Sequence, residues 1–141
     1  DDFRLCVFLD GEADAFAAYE ALTGDLVQET GFWVSDEIPW LGASPDGLIA
    51  PDGLLEVKCP GKLPEAIPAH HECQMRVQLA VTERAWCDYF AWTMDAGHFL
   101  ARVTRCPDKE LELIAALERF YHLYVVTGTP PPKRRPRKEK S

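Results

Sequence analysis

Between Ser44 and Pro60 the chain reads SPDGLIAPDGLLEVKCP, and its second half constrains the fold more than any other stretch. From Leu54 to Cys59 the residue character repeats with a period of two, the repeat of a strand and not of a helix. Leu54, Glu56 and Lys58 therefore share one face, and Leu55, Val57 and Cys59 the other. Leu41 to Ala50 is a second extended stretch, and Pro51-Asp52-Gly53 between the two is a turn signal, so the pair reads as a hairpin. Such a hairpin brings Asp46, which follows Pro45, across from Glu56.

Two carboxylates held close together repel each other and favour a divalent cation between them, Mg²⁺ first and Mn²⁺ in its place, as one ion or two. A hard cation of this kind polarises a phosphate and makes a bound water nucleophilic. Lys58 adds a point charge that can orient the water or offset charge developing on the phosphate, and the backbone carbonyl of Val57 is a further candidate metal ligand. A Glu-x-Lys tripeptide alone is most often a solvated strand face. Here it closes an apolar strand and lies ten residues after a Pro-Asp.

That pattern resembles the PD-(D/E)xK nucleases. With Ser44-Pro45-Asp46-Gly47 before it and Lys58-Cys59-Pro60 after it, the segment resembles more narrowly the phage lambda exonuclease family, also called YqaJ-type viral recombinases. The resemblance implies an α/β fold with a restriction-endonuclease-like core, a mixed central sheet flanked by helices. It also implies a Mg²⁺-dependent exonuclease that digests one strand of double-stranded DNA from the 5′ end. The product would serve annealing recombination, with a single-strand annealing protein as partner and a homotrimeric ring as the assembly. A PD-(D/E)xK endonuclease and a non-catalytic DNA-binding module on the same fold stay open beside that reading.

The remaining site residues come from two helices. From Gly11 the pattern is helical, with Phe16, Tyr19 and Leu22 as an apolar stripe and Thr23-Gly24 as a stop. Glu12 sits in the first turn, where a carboxylate is favourable with the helix dipole whatever else it does. The family's Tyr-Glu-x-x-Thr-Gly-like segment is matched by Tyr19, Glu20, Thr23 and Gly24, which implies that Glu12 completes the acidic site as a metal ligand.

The second helix runs from His70 to Glu83. Gln74 and Gln78 share a face, while Val77, Ala80 and Val81 offer an apolar stripe. The resemblance places Gln74 where this family and the RecB-type nucleases carry a glutamine that helps hold the active site. RecB-type enzymes have a tyrosine four residues on, where Gln78 stands here. His71 replaces an aromatic residue and Arg76 an additional glutamine. Ser44, Arg76 and Gln78 are the candidate substrate contacts. His70 and His71 point about 100° apart and so do not suggest a shared metal; they read as a solvated helix start.

Of the rest, Asp1 to Leu9 reads as an extended lead-in and Leu26 to Ser35 as a strand. Trp86 to Thr93 and Phe99 to Arg105 read as two more strands, about a turn holding Gly97. A closing helix from Pro107 to about Val126 turns Leu111, Ile114, Leu117, Phe120, Tyr121 and Tyr124 toward the sheet. Trp33 and Trp40 read as packing residues. One nuclease domain over 1–128 and a disordered basic tail over 129–141 are the expected organisation. Asp1 in place of a methionine reads as a trimmed start.

Composition supports a core, with 47% of 141 residues hydrophobic. Cys6, Cys59, Cys73, Cys87 and Cys106 never fall as CxxC, so reduced, mostly buried thiols are expected rather than a zinc site. No apolar run approaches the about 20 residues that span a bilayer, and no signal peptide is visible, so no membrane role and an intracellular location are expected, cytoplasmic or, in a eukaryotic or viral setting, nuclear. The net charge of −8 conceals a division. The tail after Pro132 holds six basic residues and Glu139, which leaves 9 basic against 22 acidic elsewhere, a net of −13. An acidic body excludes a broad passive DNA surface and requires contacts that are local and metal-assisted, with the basic tail as tether, solubilising segment or nuclear-import signal.

Overall fold

The computed structural model describes the backbone of residues 2–133 and the side chains of residues 13–133. Glu12 and Cys6 as side chains, and the basic tail beyond Lys133, lie outside the described residues. The elements are α1 (Asp2–Thr23), β1 (Val27–Gln28), β2 (Trp33–Val34), β3 (Gly42–Ala43), β4 (Gly47–Ile49), β5 (Gly53–Lys58), α2 (Ala69–Thr82), β6 (Trp86–Thr93), β7 (Gly97–Thr104) and α3 (Pro107–Phe120), closed by a π-helical turn (Tyr121–Val125). Five strands form one mixed sheet in the order β1-β4-β5-β6-β7, while β2 and β3 pair separately. Among the described residues no helix is long and apolar enough to cross a membrane.

The expected hairpin is β4–β5, antiparallel with Gly47 opposite Leu55 and Ile49 opposite Gly53. Its turn is clamped by Arg84, whose guanidinium donates to the carbonyls of Gly53 and Ala50 at 2.9 and 2.6 Å. Gly53 must be glycine, because a Cβ there would overlap the Trp86 ring. From β5 the chain crosses through α2 to β6, which pairs parallel to β5 with Glu56 opposite Tyr89. A parallel pair needs such a crossover, and the crossover helix must cover one sheet face.

Each face consequently has its own core. Under α2 lie Leu54, Met75, Leu79, Cys87, Tyr89, Ala91 and Val103. On the other face Ala15 and Tyr19 of α1 pack on Ile49, Leu55, Val57 and Phe90. The alternation along β5 thus divides its side chains between two helices, which is why all but Lys58 of its six residues are buried.

Several expectations need correction. The lead-in expected to be extended falls from Asp2 onward within α1, since no proline separates it from the helix that follows. Leu26 to Ser35 is not one strand, because Gly31 divides it into β1 and β2, which join different sheets. Leu41 to Ala50 is likewise broken between β3 and β4 by Pro45, which has no N–H for a ladder. The last helix becomes a π-turn at Tyr121, and Leu111 and Phe120 are exposed rather than turned to the sheet, because α3 packs on α2 instead. Leu22 is also exposed. Trp40 stacks on Tyr121 at 4.5 Å, tying the β2–β3 hairpin to that turn. Of the described cysteines only Cys87 is fully buried, and Cys73 is exposed.

Candidate active site

The site is built where β5 emerges beneath α2. Continuing the β4–β5 register by one step sets Asp46 opposite Glu56, and the Oδ2 of Asp46 accepts a hydrogen bond from the Val57 N–H at 2.8 Å. In an extended strand a residue's N–H and C=O face the same neighbour. The Val57 carbonyl is therefore directed to the edge where Asp46 sits, beyond the end of β4.

Glu56 is only 2% exposed, and its two oxygens are divided between two partners. Oε1 pairs with Lys58 Nζ at 2.9 Å, and Oε2 accepts from Gln78 Nε2 at 3.0 Å. Lys58 Nζ also donates to Gln74 Oε1 at 3.4 Å. A buried carboxylate is tolerable only when paired and hydrogen-bonded, and here one ammonium and one amide meet that need. Gln78 meets its own need only in part, since its Oε1 is buried with no hydrogen-bond partner.

His71, Gln74 and Gln78 are spaced i, i+3, i+7 and share the face of α2 that lies over the sheet. The Nδ1 of His71 and the hydroxyl of Tyr89 lie 2.9 Å apart, so the three residues meet Tyr89, Lys58 and Glu56 respectively. Burial, then the positive charges of Lys58 and His70, hold the imidazole below its usual range, against an opposing pull from Glu56. Burial pushes the Tyr89 hydroxyl up, with Glu56 adding to it. The Cys87 thiol, on the same sheet face as Glu56, is pushed up too, first by burial and then by the fields of Glu56, Asp88 and Asp46, so both site carboxylates act on one point under α2.

The sequence-predicted residues fall into three groups. Asp46, Glu56, Val57, Lys58, Gln74 and Gln78 are brought together. Ser44 is exposed on the segment before Asp46, in the wall of an open cleft that Gln74 and Gln78 also line. Arg76 is not at the site. It is buried on another side of α2, where Nε and Nη2 donate to Glu72 and Nη1 to the Thr104 carbonyl. Gln78 is 2% exposed and its amide nitrogen donates to the Glu56 carboxylate.

Two residues were missed. His71 is half-buried on Tyr89 and is not a solvated helix start, and Tyr89 is not merely core. The available signal was the shared helix face of residues 71, 74 and 78. It becomes decisive only once α2 is known to lie over β5 and β6.

Comparison with known proteins converges on this segment. The YqaJ-like viral recombinase domain matches residues 10–85, more than half of the 141-residue chain. Among solved structures, the alkaline exonuclease LHK-Exo from Laribacter hongkongensis aligns with a TM-score of 0.66 at 28% identity, over 88% of this chain and 73% of that one. LHK-Exo in complex with dAMP aligns with a TM-score of 0.65 at 30% identity, over 85% of this chain and 73% of that one. The mixed sheet and its flanking helices are thus the alkaline exonuclease fold, of PD-(D/E)xK type. Among curated proteins no significant match is found.

Proposed function

We propose, because the chain belongs to the YqaJ-like viral recombinase domain family, that it is a divalent-cation-dependent deoxyribonuclease with its reaction centre at Asp46, Glu56 and Lys58. The observation that carries the reading is the buried Glu56 joined at 2.9 Å to a Lys58 that keeps 21% of its side chain exposed. A partly exposed Lys58 side chain leaves its ammonium reachable from solvent while its partner stays buried. A phosphate needs one it can reach.

The donor set fits a hard, hydrated cation. Asp46, Glu56 and the Val57 carbonyl supply oxygens only, the ligand type suited to Mg²⁺ or Mn²⁺. Among the described residues no three His, Cys, Asp or Glu side chains cluster as a metal site, so two carboxylates would be supplemented by the carbonyl, by water and by Glu12. The orphan Gln78 Oε1 is an acceptor of the kind that a water in a cation's shell would satisfy. When bound, such an ion lowers the pKa of a coordinated water and offsets charge on the phosphate.

The chain's own groups perform the rest. Lys58 is held by two acceptors, Glu56 Oε1 and Gln74 Oε1, which leaves its third N–H to a phosphate oxygen or the attacking water. Gln78 fixes the rotation of Glu56, and the Val57 N–H fixes that of Asp46. These bonds set the donors before substrate arrives, so little reorganisation remains for the reaction.

Exonucleolytic digestion of double-stranded DNA from a 5′ end, supply of single strands to an annealing protein, and a trimeric assembly belong to the same reading. Their support is family membership and the likeness to alkaline exonucleases. The test is Mg²⁺-dependent release of nucleotides from a 5′-phosphorylated linear duplex by the wild type, Glu56→Ala and Lys58→Ala. Wild-type hydrolysis lost in both variants is expected, and equal hydrolysis by all three would remove the assignment. A closed circular duplex left uncut separates exonuclease from endonuclease.

A further inference from the structure

The α2 face that holds Gln74 and Gln78 continues past β5 and over β6. Tyr89 stands beside Glu56 in the parallel register, on the sheet face under α2, and is 1% exposed. Its hydroxyl lies 2.9 Å from the Nδ1 of His71, its one hydrogen-bond partner among the described residues. His71 itself is partly exposed, one turn before Gln74, whose Oε1 holds Lys58.

That pair selects which imidazole nitrogen carries the proton. A buried hydroxyl proton needs an acceptor, and Nδ1 accepts only when the ring is neutral with its proton on Nε2. In the opposite tautomer Nδ1–H would donate to the phenol oxygen, and the phenol proton would find no acceptor among the described residues. Burial and the charges of Lys58 and His70 also favour the neutral ring. The result is an uncharged N–H donor on a partly exposed ring, within the field of the Lys58 ammonium.

An oxygen of a phosphodiester suits such a donor. It only accepts, and the third N–H of Lys58 already calls for one. A second cation at this position would repel Lys58, whereas a neutral donor adds a hydrogen bond without that cost. His71 also lies in the first turn of α2, where the helix end favours an anion.

We propose that His71, held by Tyr89 as an Nε2–H donor, is a further substrate-contacting residue that takes a DNA backbone oxygen beside the one bound by Lys58. The identity of the ligand rests on the nuclease assignment. Fluorescence anisotropy of a labelled, 5′-phosphorylated duplex tests it, in Ca²⁺ buffer with hydrolysis checked to be absent. His71→Ala should weaken binding about 10-fold, the order of one hydrogen bond to a charged group. His71→Gln keeps an amide N–H near the Nε2 position and should bind within about threefold of the wild type. His71→Asn reaches only as far as Nδ1 and should be as weak as His71→Ala. Because the donor is uncharged, the slope of log affinity against log salt should stay the same in every variant, where loss of a cation would lower it by about 1. The Gln and Asn variants differ by one methylene, so their comparison holds even where His71→Ala perturbs the helix start.

Equal binding by wild type and His71→Asn, no rescue by His71→Gln, or a shallower salt slope in the variants overturns the proposal, as does a wild type that binds no duplex. Hydrolysis of the same duplex in Mg²⁺ separates the two readings. A wild type that hydrolyses it but binds no better than His71→Asn loses the His71 contact alone. One that binds through His71 but hydrolyses nothing loses the nuclease assignment and keeps the contact.

Discussion

The two faces of the central sheet each bury a carboxylate, on adjacent strands, and treat it differently. On the α1 face Asp88 is 3% exposed and receives the Tyr19 hydroxyl at 2.7 Å together with Arg102 Nε at 2.7 Å and Nη2 at 3.1 Å. Arg102 in turn lies over the Trp86 ring at 3.6 Å. Asp88 raises the affinity of both partners for their protons: burial and then Asp88 push the Tyr19 hydroxyl up, and the hydrogen bond to Asp88 raises Arg102. On the α2 face Glu56 is as deeply buried but has one ammonium and one amide, and that amide's own oxygen is orphaned. A saturated carboxylate fastens a helix to a sheet. An under-satisfied one beside a reachable ammonium has capacity left for something that is not protein.

The sharpest way to break this division is a pair of isosteric changes. Glu56→Gln should cut hydrolysis by on the order of 1,000-fold, as loss of a group acting on the reacting charge does. Asp88→Asn should leave hydrolysis per folded molecule within about twofold. Steady-state rates normalised to the folded fraction decide it, and comparable losses in both variants would show that the faces are not functionally distinct.

Stability should divide the other way. Asp88→Ala strands Arg102 and the Tyr19 hydroxyl, and breaking a buried pair costs about 3–5 kcal/mol; half-exposure of Arg102 places the cost at the lower end. Urea unfolding followed by circular dichroism measures it. A loss below about 1 kcal/mol would remove the fastening role.

Gln78 sharpens the comparison, because it joins a buried, structural position to a chemical partner. Gln78→Met leaves the buried Glu56 Oε2 without its amide donor, so stability should fall by about 1–3 kcal/mol. Hydrolysis should fall about 10- to 100-fold, as for residues that orient a metal-site ligand, and more Mg²⁺ should be required for half-maximal rate. A normal Mg²⁺ requirement would place Gln78 with the packing residues instead.

Sequence reasoning reached the α2 face unevenly, for reasons visible in single residues. The β4–β5 hairpin was legible because period-two alternation and Pro51-Asp52-Gly53 are local signals, and local signals fix register. Gln74 and Gln78 were legible as a face of a helix but not as partners of Lys58 and Glu56. That pairing depends on how a crossover helix lies across two strands, which no spacing encodes. Arg76 was a candidate substrate contact because it stands where the family carries an additional glutamine. Its pairing with Glu72, one turn back on the same helix, is a local signal, whereas its bond to the Thr104 carbonyl, 28 residues on, is a tertiary one that no spacing encodes. Pro45 split what alternation joined, and its missing N–H was a signal available in the sequence.

The smallest expected effect concerns His71, the member of the α2 face that meets neither Glu56 nor Lys58 directly. Burial and the nearby Lys58 hold its imidazole below the usual value of about 6.5, so the unfolded chain binds a proton there more readily than the folded one. Stability must then rise with pH wherever the unfolded state carries the extra proton. The contribution is complete above the unfolded value and is lost as pH falls below it, toward the depressed folded value. His71→Phe keeps a ring against Tyr89 but cannot titrate, so urea midpoints of wild type and variant should converge at low pH relative to their separation above pH 7. Parallel curves from pH 5 to 8 would show that the proton on His71 is indifferent to the fold.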